Sequence, residues 1–312
     1  MKCSKCGKEA VTFIRYNGTY LCGEHFIEYV ERRVKKDVRR QGIRKGIVAV
    51  ALSGGKDSLT VLYLMNDIIK DHKDKELYAI TVDEGIAGYR PKSIKVAQKH
   101  CRELGVEHHI ISFKETVGST LDEMSPFRDE LGECTYCGVF RRTCLNKKAR
   151  EIDAKTIVMG HNLDDVAQSI LMNFVNNDME RMARFAPHKK VQNGLIPRMV
   201  PLRTIPEKET TLYAFLKGID VLEDECPYAV RASRGTFRDM VAKLEKDYPG
   251  TRHSIFNSYL AIDSCLQEKY LPANLSPCIR CGEPTSQEIC RACMLREKIE
   301  NAKRGEIGAK PL

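Results

Sequence analysis

Residue type and spacing write two kinds of chemistry into this chain, one suited to phosphate and one to metal. The first is Ser53-Gly54-Gly55-Lys56-Asp57-Ser58, directly after an apolar run and directly before a helical pattern. Two glycines allow a turn forbidden to most side chains and let backbone N–H groups approach a ligand closely. The N-terminus of the following helix adds unpaired N–H donors and the positive end of its dipole. Lys56 adds charge, and Ser53 and Ser58 add hydroxyl donors. Together they make a phosphate cradle. It is not a Walker A loop, which keeps four residues between its first glycine and Gly-Lys-Ser/Thr. A second piece, Gly160-His161-Asn162-Leu163-Asp164-Asp165, follows another short apolar run and opens the next helix. Gly160 permits close approach of a nucleotide, and Asp165 projects near the strand ends. Asp164 reads as a helix-start acid favoured by the dipole. Asp83 suits a ribose or magnesium contact, or a plain surface turn.

The second kind rests on 13 cysteines. An odd count excludes complete pairing, a reducing compartment disfavours disulfides, and the close spacing points to metal. Cys3-x2-Cys6-x15-Cys22-x2-His25 presents two ligand pairs at knuckle spacing, so a zinc site of three cysteines and one histidine is expected. Cys278-x2-Cys281-x8-Cys290-x2-Cys293 predicts a four-cysteine zinc site in the same way. With every position filled, both would be structural. Cys134-Thr135-Tyr136-Cys137-Gly138 belongs to neither set. A lone C-x2-C suits a redox dithiol, half a zinc site or half an iron–sulfur site. Cys226, in Asp224-Glu225-Cys226-Pro227, could supply a third thiolate. Three thiolates can hold a cubane cluster and leave one iron open to an exogenous ligand. Cys101 and Cys265 fall in helical patterns and read as core residues. Cys144, on the helix after Cys137, could compete for the metal.

The elements that must position these residues follow from periodicity. Short Ile- and Val-rich runs at 47–52, 76–82, 107–112 and 155–160 read as buried strands. They alternate with helical stretches at 57–72, 91–104, 138–152 and 163–176. That alternation predicts an α/β fold with a doubly wound parallel sheet, its ligands beyond the carboxyl ends of the strands. After residue 205 the pattern is mostly helical. A helix over 25–41 carries Phe26, Val30, Val34 and Val38 on one stripe, with Arg32, Arg33, Lys35, Lys36, Arg39 and Arg40 over the rest. Those charges suit a solvated face or an RNA backbone. Three units result: an N-terminal zinc module (1–28), a catalytic domain (29–272), and a C-terminal four-cysteine module with its tail (273–312). A net charge of +9 accommodates a polyanionic partner and an inert basic surface equally. No apolar run approaches the roughly 20 residues that span a bilayer, and no apolar signal core follows Met1. A soluble cytoplasmic protein without a membrane partner is expected.

Ser53–Ser58 resembles the PP-loop of the N-type ATP pyrophosphatases, Rossmann-like enzymes that split ATP between its α and β phosphates. Taken in order, the motifs make the whole chain similar to the TtuA/NcsA family of tRNA thiolases. They are the Cys3/Cys6/Cys22/His25 site, Ser53–Ser58, Cys134-x2-Cys137-Gly138 with Arg141-Arg142, Gly160–Asp165, Cys226-Pro227 and the C-terminal four-cysteine site. The resemblance implies a [4Fe-4S] cluster on Cys134, Cys137 and Cys226. It implies ATP with Mg²⁺ on the loop, with Ala51, Ile80 and Gly160 near the nucleotide, Asp165 at a catalytic acidic position, and a homodimer. Arg141 stands where relatives can carry lysine. Arginine stays protonated, which favours stabilising phosphate charge over donating a proton.

The implied reaction adenylates the C2 carbonyl oxygen of a tRNA uridine and replaces it with sulfur. The sulfur comes from inorganic sulfide or the thiocarboxylate of a ubiquitin-like protein. The wobble uridine is the expected target. The alternatives are the thymine-loop uridine at position 54 and tRNA cytidine 2-thiolation, whose enzymes resemble a two C-x2-C arrangement rather than a solitary Cys226. Small-molecule amidation leaves the terminal zinc modules unexplained. A zinc-containing RNA-binding protein with a vestigial ATP site is the non-enzymatic alternative.

Overall fold

The apolar runs in the middle of the chain pair into one sheet in a computed structural model that describes residues 1–127, 129–185, 187, 192–222, 224–229 and 234–305. Residues 306–312, the tail assigned to the C-terminal unit, lie outside the described residues. Strands β1 (Thr12–Ile14) and β2 (Thr19–Leu21) pair antiparallel and lead into α1 (Gly23–Gln41). Next come β3 (Gly46–Ala51), α2 (Lys56–Ile69), β4 (Lys75–Asp83), α3 (Arg90–Leu104) and β5 (Glu107–Ser112). The short helices α4 (Phe113–Val117) and α5 (Leu121–Met124) precede α6 (Gly132–Glu151), β6 (Thr156–Val158), α7 (Leu163–Val175) and α8 (Met179–Ala183). They are followed by β7 (Arg198–Met199), α9 (Glu207–Leu216), α10 (Arg234–Asp247) and α11 (Thr251–Lys269). An antiparallel pair, β8 (Ser276–Pro277) and β9 (Pro284–Thr285), comes before α12 (Arg291–Lys303).

The central sheet has the order β5-β4-β3-β6-β7, and every pairing in it is parallel. This is the doubly wound sheet expected from the alternation. The strand order reverses between β3 and β6. A crevice therefore opens beyond their carboxyl ends, where sheets of this kind bind ligands. Side chains alternate across β3 with a period of two: Val48 and Val50 enter one core and Ala49 the other, with Ala51 packed against it. Both faces are covered, so these strands read as continuous apolar runs. The edge strand β7 was not anticipated, because two residues cannot display a period.

Phe26, Val30, Val34 and Val38 of α1 are all buried, as their stripe requires. Ile14, Leu21 and Cys22 join the same core as β3 and α2. At the other end, Leu295 and Ile299 of α12 join Tyr136, Phe140 and Leu145 of α6. Both cysteine-rich ends are thus continuous with the central cores. Arg33 departs from the solvated-face reading of α1: it pairs with Glu209 at 3.0 Å and bonds the hydroxyls of Tyr16 and Tyr29. Helix α6 starts at residue 132 instead of 138, so Cys134 and Cys137 lie on its first turns. Cys, Thr, Tyr and Gly are weak helix formers, and tertiary packing outweighs them. Cys101 is buried, but Cys265 is exposed on α11, correcting its assignment to the core. The pattern on α11 is helical, yet this residue falls on its solvent side. Among the described residues, no helix is long and apolar enough to cross a membrane.

Candidate functional site

The glycine-rich run forms the turn between β3 and α2, at the carboxyl end of the central strand. Gly54 has φ +85°, and a Cβ there would stand 2.3 Å from the backbone oxygen of Ser93. Gly55 is the N-cap of α2 and has no side-chain cap, which leaves the first N–H groups of the helix for a ligand. The serines hold the turn's shape: the Ser53 N–H donates to Ser58 Oγ at 3.1 Å, and Ser58 Oγ donates to the Gly55 carbonyl at 2.9 Å. Lys56 Nζ lies 3.0 Å from both Asp57 and Glu207. Burial works against its charge, but the two carboxylates outweigh that and raise its pKa. Burial also raises the pKa of Asp57, and the charges of Asp165 and Glu207 add to it against the pull of Lys56. Gly54→Ala should therefore lose both turn and ligand. The left-handed dihedral alone costs about 1–2 kcal/mol, near tenfold in affinity, before the overlap with Ser93. Isothermal titration with an ATP analogue would show it; unchanged affinity would refute this account of the loop.

Ala51 and Ile80 are partners in the β3–β4 register at the sheet's carboxyl end. Ala51 is half-buried and Ile80 fully buried. The missing side chain of Gly160 makes room for protein: a Cβ there would meet Ser58 N at 3.0 Å, so it is the phosphate turn that β6 approaches closely. Asp164 and Asp165 both lie in the first turn of α7, as expected of residues at a helix start. Asp165 occupies the third position of a capping box on α7, exchanging bonds of 3.1 and 3.2 Å with Asn162. A capping box needs its acid three residues after the cap, and only Asp165 is in phase. Asp164 is buried, pairs with Arg252 at 2.6 Å and accepts the Glu207 N–H at 2.8 Å, tying α11 and α9 to the site. Asp83 accepts the Gly85 N–H in a tight turn.

Behind the turn lies a chain of charges. Arg90 donates to the Ser53 carbonyl at 3.0 Å and to the Val82 carbonyl, and its Nε lies 2.6 Å from Glu84. The other oxygen of Glu84 lies 2.9 Å from Arg141 Nε, and Arg141 Nη2 donates to Cys137 Sγ at 3.1 Å. One buried carboxylate thus joins the phosphate turn to the C-x2-C helix. Neither Glu84 nor Arg90 was among the expected site residues. Their only local signal is a charged pair flanking the glycine turn after β4.

The remaining thiols gather around Arg141. Cys137 and Cys226 belong to one packed cluster, and Cys134 Sγ lies 3.6 Å from the carbonyl of Tyr228, two residues beyond Cys226. Partial desolvation raises the exposed Cys134 and burial pushes Cys137 up to about 11, with the charge of Cys226 adding to both and Arg141 opposing. The Arg141 side chain is 47% exposed, and against its partial desolvation Cys137 and Glu84 raise its pKa. Such thiols become ligands when a metal displaces their protons. Among the described residues, the groups whose donors all close to within 4.8 Å are the two terminal tetrads. Cys134, Cys137 and Cys226 do not close to within that distance. Cys144 is fully buried on α6, and burial pushes its thiol up to about 11.

At the N-terminal tetrad, His25 Nδ1 lies 3.5 Å from Cys3 Sγ and 3.4 Å from Cys22 Sγ, with Cys6 Sγ 3.8 Å from Cys22. At the C-terminal one, Cys281 and Cys290 are 3.5 Å apart, and backbone N–H groups donate to Cys278 and Cys290. Soft donors this close suit one tetrahedral ion apiece.

Residues 27–245 match the model of a PP-loop domain, and residues 2–27 match the N-terminal LIM domain of the 2-thiouridine synthetase TtuA. The chain is 37% identical to the tRNA 2-thiolation protein NcsA of Haloferax volcanii, over 96% of its own length and 99% of that protein. The chain belongs to the TtuA/NcsA family of tRNA 2-thiolation proteins. Within this family it is also 32% identical to the tRNA-5-methyluridine(54) 2-sulfurtransferase of Pyrococcus horikoshii, over 94% of this chain and 93% of that one. Among solved structures it resembles the U34-tRNA thiolase NcsA from Methanococcus maripaludis, which contains its [4Fe-4S] cluster. The TM-score is 0.82 at 35% identity, covering 95% of this chain and 96% of that one.

Proposed function

We propose that this TtuA/NcsA-family chain is an ATP-dependent tRNA thiolase that converts the wobble uridine to 2-thiouridine. The observation that carries the reading is the Ser53–Arg90–Glu84–Arg141–Cys137 connection, which sets a phosphate cradle and a thiol trio on one rigid frame. The turn N–H groups and Lys56 would bind the leaving pyrophosphate, with Lys56 released from Asp57 and Glu207. Asp57 and Asp165, close enough for the charge of one to act on the other, would hold Mg²⁺. A carbonyl oxygen is a poor leaving group; attack of the uridine C2 oxygen on the α-phosphate expels pyrophosphate and turns that oxygen into part of a good one. Sulfur then takes its place at C2 as AMP departs, with Arg141 stabilising the phosphate charge. Reaching C2 requires the base to leave its stack. Cys134, Cys137 and Cys226 would hold a [4Fe-4S] cluster, which supplies an open iron able to carry sulfide. The terminal tetrads would hold structural zinc.

The test is RNA-dependent pyrophosphate release by anaerobically purified protein, followed by nucleoside mass spectrometry of the tRNA. Release with 2-thiouridine at the wobble position is expected. Sulfur in the thymine loop would move the target, as the Pyrococcus relative illustrates. No RNA-dependent release would leave only an RNA-binding protein.

A further inference from the structure

Adjoining the crevice on the β6–β7 side is a cleft of about 850 Å³. Asp165 lines it and also faces Asp57 of the phosphate turn, so the two spaces share a wall. Five arginines line the cleft, and three are matched by acids. Arg203 grips Asp37 at 2.8 and 2.9 Å, Arg184 meets Glu180 at 2.7 Å, and Arg181 lies 3.6 Å from Asp178. Arg142, on α6, and Arg198, on β7, have no ion pair among the described residues. Arg142 is exposed to solvent, and partial desolvation with the charges of Arg181 and Arg141 lowers its pKa. Burial followed by the charge of Arg142 brings Arg198 down to about 10. The pairing of β7 with β6 fixes the backbone of Arg198, so it cannot swing away as a free loop would. Two fork-shaped donors that line one cleft, near enough for the charge of Arg142 to act on Arg198 and without a counter-charge among the described residues, suit an anion.

We propose that Arg142 and Arg198 clamp a backbone phosphodiester of the substrate RNA, beside the nucleotide whose base enters the crevice. The assignment rests on the thiolase reading above. A nucleotide triphosphate tail has the same chemistry, but the turn at Ser53–Ser58 already offers it donors on the other side of Asp165. The half-buried rings of Phe185 and Tyr270 also line the cleft and give a neighbouring base a surface to stack on.

The experiment measures tRNA affinity by fluorescence anisotropy across a salt series, for the parent protein, Arg142→Ala and Arg198→Ala. Each lost phosphate contact should flatten the plot of log affinity against log salt by about 0.7, with ATP affinity and iron content unchanged. Parent-like slopes in both variants overturn the proposal. The unsubstituted protein provides a second reading that needs no variant to fold. Bound tRNA should shield Arg142 and Arg198 from phenylglyoxal, while ATP alone should not. Shielding by ATP alone, or none by tRNA, also overturns it. A parent without affinity for tRNA would bring down the functional reading as well, a result distinct from unchanged variant slopes.

Discussion

Replacing Cys226 with Ser should yield protein that folds, binds ATP and tRNA, and carries neither iron nor thiolase activity. Cys134 and Cys137 share the first turns of α6, but the third thiol arrives from the 224–229 segment, so its loss leaves two neighbouring ligands on one side of the cluster. Cys144 is buried in the core on the same helix. Mutating groups that merely support a ligand typically costs 10–100-fold in metal affinity or activity. Loss of the ligand itself should cut product by at least about 100-fold. Iron and sulfide assays on anaerobic protein, with nucleoside mass spectrometry, would decide it. Full iron and full product in Cys226→Ser would remove the trio as the cluster site. Cys144→Ser is the control and should keep its iron.

Glu84→Ala should be the most damaging substitution outside the thiols and the glycine turn. The carboxylate is 2% exposed and stands between the guanidiniums of Arg90 and Arg141. Removing one partner of a buried pair leaves charge uncompensated and costs about 3–5 kcal/mol. At roughly 2–4 °C per kcal/mol for a chain of this size, the melting temperature should fall by about 10 °C. The damage should also reach both ligands, because Arg90 holds Ser53 and Arg141 holds Cys137. Glutamine in place of Glu84 offers one acceptor where two are needed and turns an amide N–H toward an arginine. Thermal unfolding, ATP titration and iron retention on the same preparations separate the outcomes. An unchanged melting temperature with both ligands retained would show that the link carries no load.

How much was legible depended on how local the cause was. The phosphate turn could be read because its glycines, its lysine and the helix that follows all act within six residues. The zinc-type tetrads could be read because ligand pairs with two residues between them wrap one side of an ion. Asp164 and Asp165 could both be read as helix-start acids, and only the cap at Asn162 settles which of them closes the capping box. Cys134 and Cys137 were placed ahead of a helix whose first turns they occupy, because weak helix formers yield to packing that no short window displays.

By itself, the order of residues determined a doubly wound sheet, a phosphate-binding turn at a strand end, two metal-type tetrads and the family to which the chain belongs. Those features follow from spacing along the backbone. The tertiary structure alone decided that Glu84 bridges Arg90 and Arg141, that Arg33 turns inward to Glu209, and that Arg142 and Arg198 line one cleft without an ion pair among the described residues. Each of these depends on which side chains meet across a folded interior. Electrostatic energy there depends on separation and burial, and neither quantity exists until the chain has closed on itself.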